Sequence, residues 1–364
     1  MSPSGLYIHL PFCVQKCPYC DFYSVTGASQ SLQELYLATV LEELHSFDFP
    51  EIDSIYIGGG TPSSLGMRLP SFIESVLAQI RYSGKEFTVE VNPESLSPDL
   101  CLALNDLPVN RISMGVQSLS DAVLKHLGRP HNAVQALKAY DMLRQLMPSA
   151  RLNIDMIYDI PDVPVVEIRK TVMDFIRLQP EHISAYSYSP DTGYLTDTAS
   201  TEPEQMDMVY DILSAADYRR YEISNFALAG HQSVHNMKYW SMLPYIGLGA
   251  GAHSMIYEGR QNGHLRWSHN PDLDAYIQTP LERLNKEVYT GAQSLKEAVV
   301  FGLRMQAGVD LKALESRYST EMDGEMLRKI TELADRALLE RDKKVVRASQ
   351  AGQKLFNSVM EYLW

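Results

Sequence analysis

The sequence predicts an α/β protein made of about six β/α repeats, followed by a small C-terminal helical domain. Short β-rich runs alternate with longer amphipathic segments from residue 6 to about residue 220. Polar residues gather where several of the β-rich runs end. After about residue 294 the alternation stops, and three helical patterns and one short strand pattern take its place.

Six runs have strand character, because they are rich in β-branched and aromatic residues and are bounded by turn residues. They are LYIHLPF (6–12), SIYIGGG (54–60), EFTVEVNP (86–93), RISMGVQS (111–118), RLNIDMIYDIP (151–161) and HISAYSYSP (182–190).

Helices are predicted between these strands. In residues 31–47, 133–146 and 165–178 apolar side chains recur with helical spacing. Parallel strands joined by right-handed helical crossovers either close into a barrel or open into a doubly wound sheet. In both cases the loops after the strands share one face, and that face carries the functional residues.

The end of the chain predicts a second domain. Residues 221–227, 235–240 and 246–254 read YEISNFA, HNMKYW and IGLGAGAHS and no longer follow the repeat. The segment after them is polar and suits a small helical or winged-helix-like domain. We therefore expect one domain over residues 1–290, with its repeats in 6–220, and another over 291–364, with the boundary in KEVYTGAQS.

Composition narrows the choice of partners. With 45% hydrophobic and 21% charged residues the 364-residue chain resembles an ordinary globular protein. A net charge of −13 argues against nucleic acid, whose binding depends on lysine and arginine. No apolar run approaches the length of about 20 residues that spans a bilayer, and the N-terminus has no signal-peptide pattern. We expect a cytoplasmic protein, and peripheral membrane contact stays open.

Three of the four cysteines lie in LPFCVQKCPYCDF, where Cys13, Cys17 and Cys20 have the spacing C-x3-C-x2-C. Clustered cysteines in a reducing compartment are more often metal ligands than disulfides. Structural zinc would need a fourth ligand, but Cys101 stands in a helical stretch and His9 on a strand that would aim it away. Three thiolates suit a [4Fe-4S] cluster better, because one iron is then left open for a small molecule.

Other polar residues at strand ends form a candidate binding site. A glycine loop, Gly58-Gly59-Gly60-Thr61, ends the second strand and offers backbone groups for close approach of a ligand. Glu90, Gln117 and Asp155 end or lie on later strands, and Arg129 stands in a turn before a proline. Taken singly each is compatible with a surface position, and a glycine loop is often only a turn.

The cysteine loop after the first strand and the glycine loop after the second resemble the radical S-adenosylmethionine (SAM) superfamily. This resemblance implies a partial (β/α)6 TIM-like barrel, a [4Fe-4S] cluster and SAM bound at its open iron. The narrower motifs YIHLPFCVQKCPYCDF, IYIGGGTPS, VEVNPES, RISMGVQS, LGRPH, NIDMIY, YEISNFA, HNMKYW and GLGAGAHS resemble oxygen-independent coproporphyrinogen III oxidases and their relatives, the HemW heme chaperones.

The family resemblance implies roles for particular residues. Cys13, Cys17 and Cys20 would bind the cluster. The positions that match SAM contacts of the family are Tyr7, Tyr19, Gly59, Gly60, Thr61, Glu90, Gln117, Arg129 and Asp155. His253 falls at a family position near the SAM site, and packing in a loop is the alternative for its side chain.

Two features resemble the HemW branch more than the oxidases. The oxidases of the family have a fourth cysteine where this chain has Phe22, and they have an N-terminal extension, whereas the first strand here begins at about residue 6. HNMKYW resembles the His-Asn-x-x-Tyr-Trp motif of the HemW branch, and this resemblance implies heme binding. His235 would then be an axial ligand of the heme iron, or alternatively a packed histidine.

The sequence thus predicts a carrier that binds heme and passes it to an acceptor protein that the sequence does not identify. An electron donor for the cluster is implied as well. The alternative is an enzyme that decarboxylates coproporphyrinogen III to protoporphyrinogen IX by radical chemistry; it is not favoured. A structural zinc protein is a third hypothesis.

Two departures from the family pattern bear on the site. Asp159 stands where relatives usually have glycine, so we expect either a differently shaped turn or a new direction for Tyr158. The sixth strand ends in SPDTGY, and Asp191 and Tyr194 leave the binding role of that loop undefined.

Overall fold

The computed structural model of the protein describes residues 4–48, 51–188, 203–258 and 263–364. Its strands are β1 (Ser4–Leu10), β2 (Phe12–Cys13), β3 (Val25–Thr26), β4 (Ile52–Gly59), β5 (Tyr82–Val91), β6 (Arg111–Gln117), β7 (Arg151–Tyr158), β8 (His182–Ser187), β9 (Arg219–Glu222), β10 (Asn225–Ala227), β11 (Tyr245–Leu248), β12 (His253–Glu258), β13 (Gly263–Ser268), β14 (Leu284–Tyr289), β15 (Val309–Asp310), β16 (Leu339–Asp342) and β17 (Val345–Ala348).

The helices connect and cover these strands. They are α1 (Gln30–His45), α2 (Arg68–Leu77), α3 (Pro98–Asn105), α4 (Asp121–His126), α5 (Ala133–Leu146), α6 (Val165–Leu178), α7 (Pro203–Ala215), α8 (Val234–Trp240), α9 (Leu273–Gln278), α10 (Gly291–Gly302), α11 (Leu311–Tyr318), α12 (Gly324–Asp335), α13 (Gln350–Lys354) and α14 (Phe356–Leu363).

Six parallel strands form a partial barrel. β1, β4, β5, β6, β7 and β8 lie side by side in that order, each parallel to the next. Parallel neighbours require crossovers, and α1 to α6 supply them. β11 extends the sheet beside β1, and β10 extends it antiparallel to β8. The predicted (β/α)6 architecture is confirmed, and all six predicted strands are present.

The helices begin where the sequence provides caps. Ser29 accepts a hydrogen bond from the first turn of α1. Asn132 and Gln135 form a reciprocal capping box at the start of α5, which satisfies backbone donors that would otherwise lack partners. α5 and α6 span the predicted ranges, and α1 lies within two residues of its predicted range.

The two faces of the barrel strands differ in polarity. In β1 the residues Leu6, Ile8 and Leu10 are fully buried in the main hydrophobic core. Tyr7, which alternates with them, packs beside Tyr56 of β4 with ring centroids 6.2 Å apart. Polar side chains of β4 to β8 line a cavity inside the barrel. The apolar face therefore stabilises the fold, and the polar face provides the site.

The C-terminal part has its own hydrophobic core. α10 to α14 pack with a three-stranded sheet of order β15-β17-β16, which confirms the predicted small helical domain. α10 begins at Gly291 with Thr290 as its cap. The same core also contains Met242 and Met255, so the division at residues 290 and 291 stays a prediction.

In the described ranges, no helix combines the length and the apolar character needed to cross a bilayer. Asp191 and Tyr194, noted above as departures, lie outside the described residues.

Candidate cluster and cofactor site

A cavity of about 380 Å³ opens at the carboxyl ends of the parallel strands. This volume is near the lower end of the range for a single small-molecule site, about 300–1,000 Å³. The structure brings most of the predicted site residues to its wall: Cys13, Cys17, Tyr19, Cys20, Gly59, Gly60, Thr61, Glu90, Gln117, Arg129 and Asp155. Tyr7 and His235 are not part of the wall.

The cysteine loop is fixed to the end of β4. The backbone N–H of Gly60 donates to Leu10 O at 2.9 Å, and that of Thr61 donates to Phe12 O at 2.8 Å. A Cβ on Gly60 would lie 2.6 Å from the carbonyl carbon of Pro11. Glycine is therefore required here because the backbone of the cysteine loop passes directly against it.

The three cysteines surround the mouth of the cavity. Cys17 is buried, and Cys13 and Cys20 are partly exposed. Cys13 Sγ lies 3.4 Å from Thr61 Oγ1. Burial raises the pKa of the Cys13 and Cys20 thiols, so a positively charged metal centre would be needed to hold them as thiolates.

A tetrahedral zinc site would need a fourth ligand beside the three cysteines. Among the described residues no group of three or more His, Cys, Asp and Glu side chains is arranged to hold a single ion. His9 does not line the cavity. Its ring nitrogens lie 2.9 Å from Tyr7 Oη and 3.0 Å from Tyr23 O, and burial lowers its pKa to about 4.

Arg129 connects the cysteine loop to the barrel. Its Nη2 donates to Gly115 O at 2.7 Å and to Asn92 Oδ1 at 2.9 Å. Its Nη1 lies 3.5 Å from Cys17 Sγ and 3.4 Å from Tyr19 Oη. The fixed fork of a guanidinium is needed for these divergent contacts. The prediction that the turn before Pro130 aims Arg129 at the site agrees with this geometry.

Glu90 is a buried carboxyl group facing the cavity. Its Oε1 accepts from Tyr56 Oη at 2.6 Å, and its Oε2 accepts from the N–H of Gly59 at 3.1 Å. Burial raises the pKa of Glu90 to about 7, with a further contribution from nearby Asp155 and in spite of these two hydrogen bonds. Glu90 can therefore change its charge near neutral pH.

Asp155 and Gln117 complete the wall on the next two strands. Asp155 accepts from Asn153 Nδ2 at 2.7 Å and from Ser113 Oγ at 3.4 Å, and burial raises its pKa. Gln117 has φ of +69° at the end of β6. Non-glycine residues rarely adopt this conformation, and such strain is concentrated at functional sites.

Tyr7 does not line the cavity and lies behind the residues that form its wall. Its hydroxyl contacts His9 Nδ1 at 2.9 Å, and burial raises its pKa far above the ordinary value. The structure therefore connects Tyr7 to the site through the packing of its ring beside Tyr56.

His235 lies at the opposite, amino end of the barrel strands. Its Nδ1 is 3.0 Å from Ser54 Oγ and its Nε2 is 2.8 Å from Tyr239 Oη. The side chain is fully buried. Burial and the nearby Lys238 lower its pKa to about 3. Both ring nitrogens that could bind iron are engaged in this structure.

The helix that carries His235 closes the floor of the barrel. Glu86 of β5 accepts hydrogen bonds from Ser233 Oγ, from Val234 N and from His235 N at the start of α8. Lys238 pairs with Asp53 at 2.7 Å. The next residue, Asn236, lines the cavity. The HNMKYW motif thus borders the cavity through its asparagine.

Several residues of the wall were missed by sequence reasoning. They are inward-facing residues of the barrel strands and of α8: Tyr56, Arg111, Ser113, Asn153, Ser184, Tyr186 and Asn236. Alternation was the available signal, because Ser113 precedes Gln117 by four residues and Asn153 precedes Asp155 by two, which places each pair on one face of a strand.

The structure places the other singled-out residues as follows. Asp159 has φ of +60°, a conformation that glycine adopts readily, and a difference in turn shape from relatives stays a prediction. His253 begins β12 and is not in the wall of the cavity. Phe22 lines the mouth of the cavity and is 65% exposed. Cys101 is fully buried in the main core, as expected for a packing residue.

Comparison with known proteins identifies the class. The radical SAM superfamily model matches residues 7–174, and the HemN C-terminal domain model matches residues 289–355. The solved structure of coproporphyrinogen III oxidase (HemN) from Escherichia coli, described as a radical SAM enzyme, superposes with a TM-score of 0.79. That superposition covers 99% of this chain and 90% of the oxidase at 20% identity, and it shows the shared fold. The fold and the three-cysteine mouth together define a radical SAM type of protein, a class that implies a [4Fe-4S] cluster and SAM.

Curated relatives narrow the class. The chain is 33% identical to the heme chaperone HemW of Lactococcus lactis over 99% of this chain and 97% of that protein. It is 32% identical to HemW of Bacillus subtilis, with 97% of each chain covered. The chain belongs to the HemW family. These matches favour the heme chaperone interpretation over the oxidase.

Proposed function

We propose that this chain carries heme to an acceptor protein and holds a [4Fe-4S] cluster and SAM. The observation that carries the proposal is the composition of the cavity mouth: three cysteines surround it, and the exposed Phe22 stands where the oxidases are expected to have another cysteine. Membership of the HemW family supports the same function, because its named relatives are heme chaperones.

Cys13, Cys17 and Cys20 would hold the cluster, which when bound supplies one open iron for SAM. The donor set fits: three thiols lie at one cavity mouth, two of them partly exposed. Arg129 contacts Cys17 from the barrel side and would hold the loop in place. The chain's own contribution is to fix the thiols in position.

SAM would occupy the cavity beside the glycine loop. Gly59 and Gly60 would approach its methionyl group with backbone that carries no Cβ, and Thr61 would lie beside them in the wall. Glu90 and Asp155 would accept hydrogen bonds from hydroxyl or amino groups of the ligand. The remaining residues proposed for the same site are Tyr7, Tyr19, Gln117 and Arg129, of which Tyr7 would act through Tyr56.

His235 stays the proposed heme ligand of the HNMKYW motif, under a condition that the structure defines. Its ring would have to leave Ser54 and Tyr239, and α8 would have to move from the floor of the barrel. Imidazole is the commonest protein ligand of heme iron, and the proposal therefore couples axial ligation to opening of this helix.

The proposed partners follow from this function. Heme is the cargo, a heme-accepting protein receives it, and an electron donor serves the cluster. The net charge of −13 argues against nucleic acid.

Titration of the anaerobically reconstituted protein with hemin tests the proposal. We expect a Soret shift that saturates at one heme per chain. A parallel anaerobic assay supplies SAM, reductant and coproporphyrinogen III. An unchanged Soret band, or formation of protoporphyrinogen IX with 5′-deoxyadenosine, would contradict a carrier function.

A further inference from the structure

The last turn of α8, the helix that carries His235, contacts the C-terminal part of the chain. The guanidinium carbon of Arg304 lies 4.2 Å from the centroid of the Trp240 ring, which is a cation–π contact. Trp240 is the final residue of α8 and of the motif HNMKYW, and Arg304 follows α10 within the range of the HemN C-terminal domain match. We call Arg304 and Trp240 the clamp pair. The helix α8 is therefore held from two sides, by the barrel floor and by the clamp pair.

The chain directly after α8 is anchored in the same C-terminal part. Arg317 Nη1 donates a hydrogen bond to Ser241 O at 2.8 Å, and Met242 packs into the C-terminal hydrophobic core. A swing of α8 away from the barrel floor would turn about these two anchored residues. Because Trp240 immediately precedes them, the swing would move the two members of the clamp pair relative to each other.

The clamp pair contains polar groups without hydrogen-bond partners. Among the described residues, neither the buried indole Nε1 of Trp240 nor the buried Nε of Arg304 has a partner. The carboxylate of Glu222, which is 1% exposed, forms a long ion pair with Arg304 Nη2 at 3.5 Å. Buried donors without acceptors cost free energy, and water would satisfy both donors once the pair separates. Separation of the clamp pair is therefore compensated in part by hydration.

Hydrogen bonds hold the start of α8 to the barrel floor. Glu86 accepts three of them from the first residues of the helix and its cap. Both ring nitrogens of His235 are engaged, one by Ser54 of β4 and one by Tyr239 of α8 itself. His235 can therefore reach a heme iron only after α8 leaves the floor. The apparent dissociation constant for heme rises as the fraction of open molecules falls, so a contact that stabilises the closed conformation weakens heme binding.

We propose that the clamp pair holds α8 in the closed conformation and so sets the fraction of molecules in which His235 can bind heme. Arg304 and Trp240 are positioning residues, because they act on the helix and do not contact the heme. The C-terminal part of the chain thereby restrains the helix that carries the heme ligand. This inference rests on the carrier function and on the axial role of His235 proposed above.

Hemin titration of the cluster-reconstituted, full-length protein tests the restraint. Arg304→Gln removes the stacked cation and should bind hemin several-fold more tightly than the unmodified protein, because the closed conformation loses a stabilising contact. Arg328→Gln is the matched control in the same part of the chain, since Arg328 forms an exposed ion pair with Glu332 within α12. The hemin affinity of this control should be unchanged.

The double variant Arg304→Gln with His235→Ala separates restraint of α8 from a general loss of structure. The gain in affinity should vanish without the axial ligand, so the double variant should bind hemin no more tightly than His235→Ala alone. Arg304→Lys keeps a cation beside the indole and should bring the affinity back toward that of the unmodified protein. Trp240→Leu removes the ring and should give the same gain as Arg304→Gln. It decides the case if Arg304→Gln fails to assemble its cluster.

Failure of the clamp and failure of the carrier function give different results. If the unmodified protein binds hemin through His235, while Arg304→Gln and Trp240→Leu bind it with equal or lower affinity, the role of the clamp pair is wrong and the carrier function stands. A gain that persists in the absence of His235 would also overturn the clamp. If neither the unmodified protein nor Arg304→Gln binds hemin, the carrier function itself fails.

Discussion

The hydroxyl group of Tyr56 donates a hydrogen bond of 2.6 Å to the carboxyl group of Glu90 inside the barrel. Both side chains line the cavity, and burial raises the pKa of Glu90 to about 7. The hydrogen bonds from Tyr56 and Gly59 favour the charged form but do not offset the burial. The charge of the predicted SAM site therefore depends on pH in the physiological range.

SAM affinity should rise with pH because the ionised carboxylate is the better acceptor for ligand hydroxyl or amino groups. With a pKa near 7, the charged fraction of Glu90 increases by roughly tenfold between pH 6 and pH 8, and the apparent affinity follows that fraction. Equilibrium dialysis of SAM at these pH values measures the effect. Glu90→Gln should bind SAM more weakly at pH 8 and show a flat profile; a flat profile in the unmodified protein would refute the role.

The raised pKa of Glu90 also makes the stability of the folded protein depend on pH, and here the stability falls as the pH rises. A carboxyl group whose folded-state pKa exceeds its ordinary value of 4.5 retains its proton more tightly in the folded chain. Its contribution to stability is present below pH 4.5 and is lost as the pH rises to about 7. We expect the free energy of unfolding of the ligand-free protein to fall across this pH window. The free energy of unfolding of Glu90→Gln should not fall for this reason.

Replacement of Arg129 should loosen the cysteine loop. Arg129→Ala leaves Gly115 O and Asn92 Oδ1 without their donor, and loss of hydrogen bonds to a charged group costs about 1.5–3 kcal/mol. We expect a lower denaturation midpoint and reduced iron per chain. Arg177→Ala is the control, because its ion pair with Asp174 lies at the surface. Equal iron retention in the two variants would argue against the role of Arg129 in connecting the cysteine loop to the barrel.

Gly60→Ala should prevent cluster assembly. The added Cβ would lie 2.6 Å from the carbonyl carbon of Pro11, so the backbone before Cys13 would have to shift. Iron and sulfide analysis after reconstitution should show that most of the cluster is lost. Gly324→Ala serves as the comparison, because its Cβ meets nothing within 4 Å. Full iron content in Gly60→Ala would show that the loop adapts to the methyl group.

His235→Ala should destabilise the ligand-free protein. It leaves the buried hydroxyl group of Ser54 and the partly buried hydroxyl group of Tyr239 without their partner, at about 1–3 kcal/mol for a fully buried group. Urea unfolding should show a lower midpoint, whereas His126→Ala on the exposed side of α4 should not. An unchanged midpoint for His235→Ala would mean that α8 is not held to the barrel floor by this ring.

Sequence periodicity was sufficient for the barrel because its physical cause is local. The strands of the barrel bury Leu6, Ile8 and Leu10 on one face, and the helices carry apolar residues at helical spacing. The positions of Glu90 and Asp155 along their strands also predicted that these residues lie near one another, since parallel strands bring their carboxyl ends together.

Long-range contacts could not be read from the sequence. The hydrogen bond between His235 and Ser54 joins residues that lie 181 positions apart in the sequence, and no local pattern specifies that pairing. The motif around His235 suggested a heme ligand. Burial of the His235 ring, however, depends on the hydrogen bonds that Glu86 accepts from the start of α8. The φ of Asp159 likewise depends on the turn that the surrounding strands impose.

Measurement of iron, sulfide and heme on anaerobically prepared protein tests the central claim most directly. We expect the four iron and four sulfide ions of one [4Fe-4S] cluster, together with one heme per chain after hemin addition and removal of the excess. One zinc ion without acid-labile sulfide, or a complete cluster on a chain that retains no heme, would contradict it.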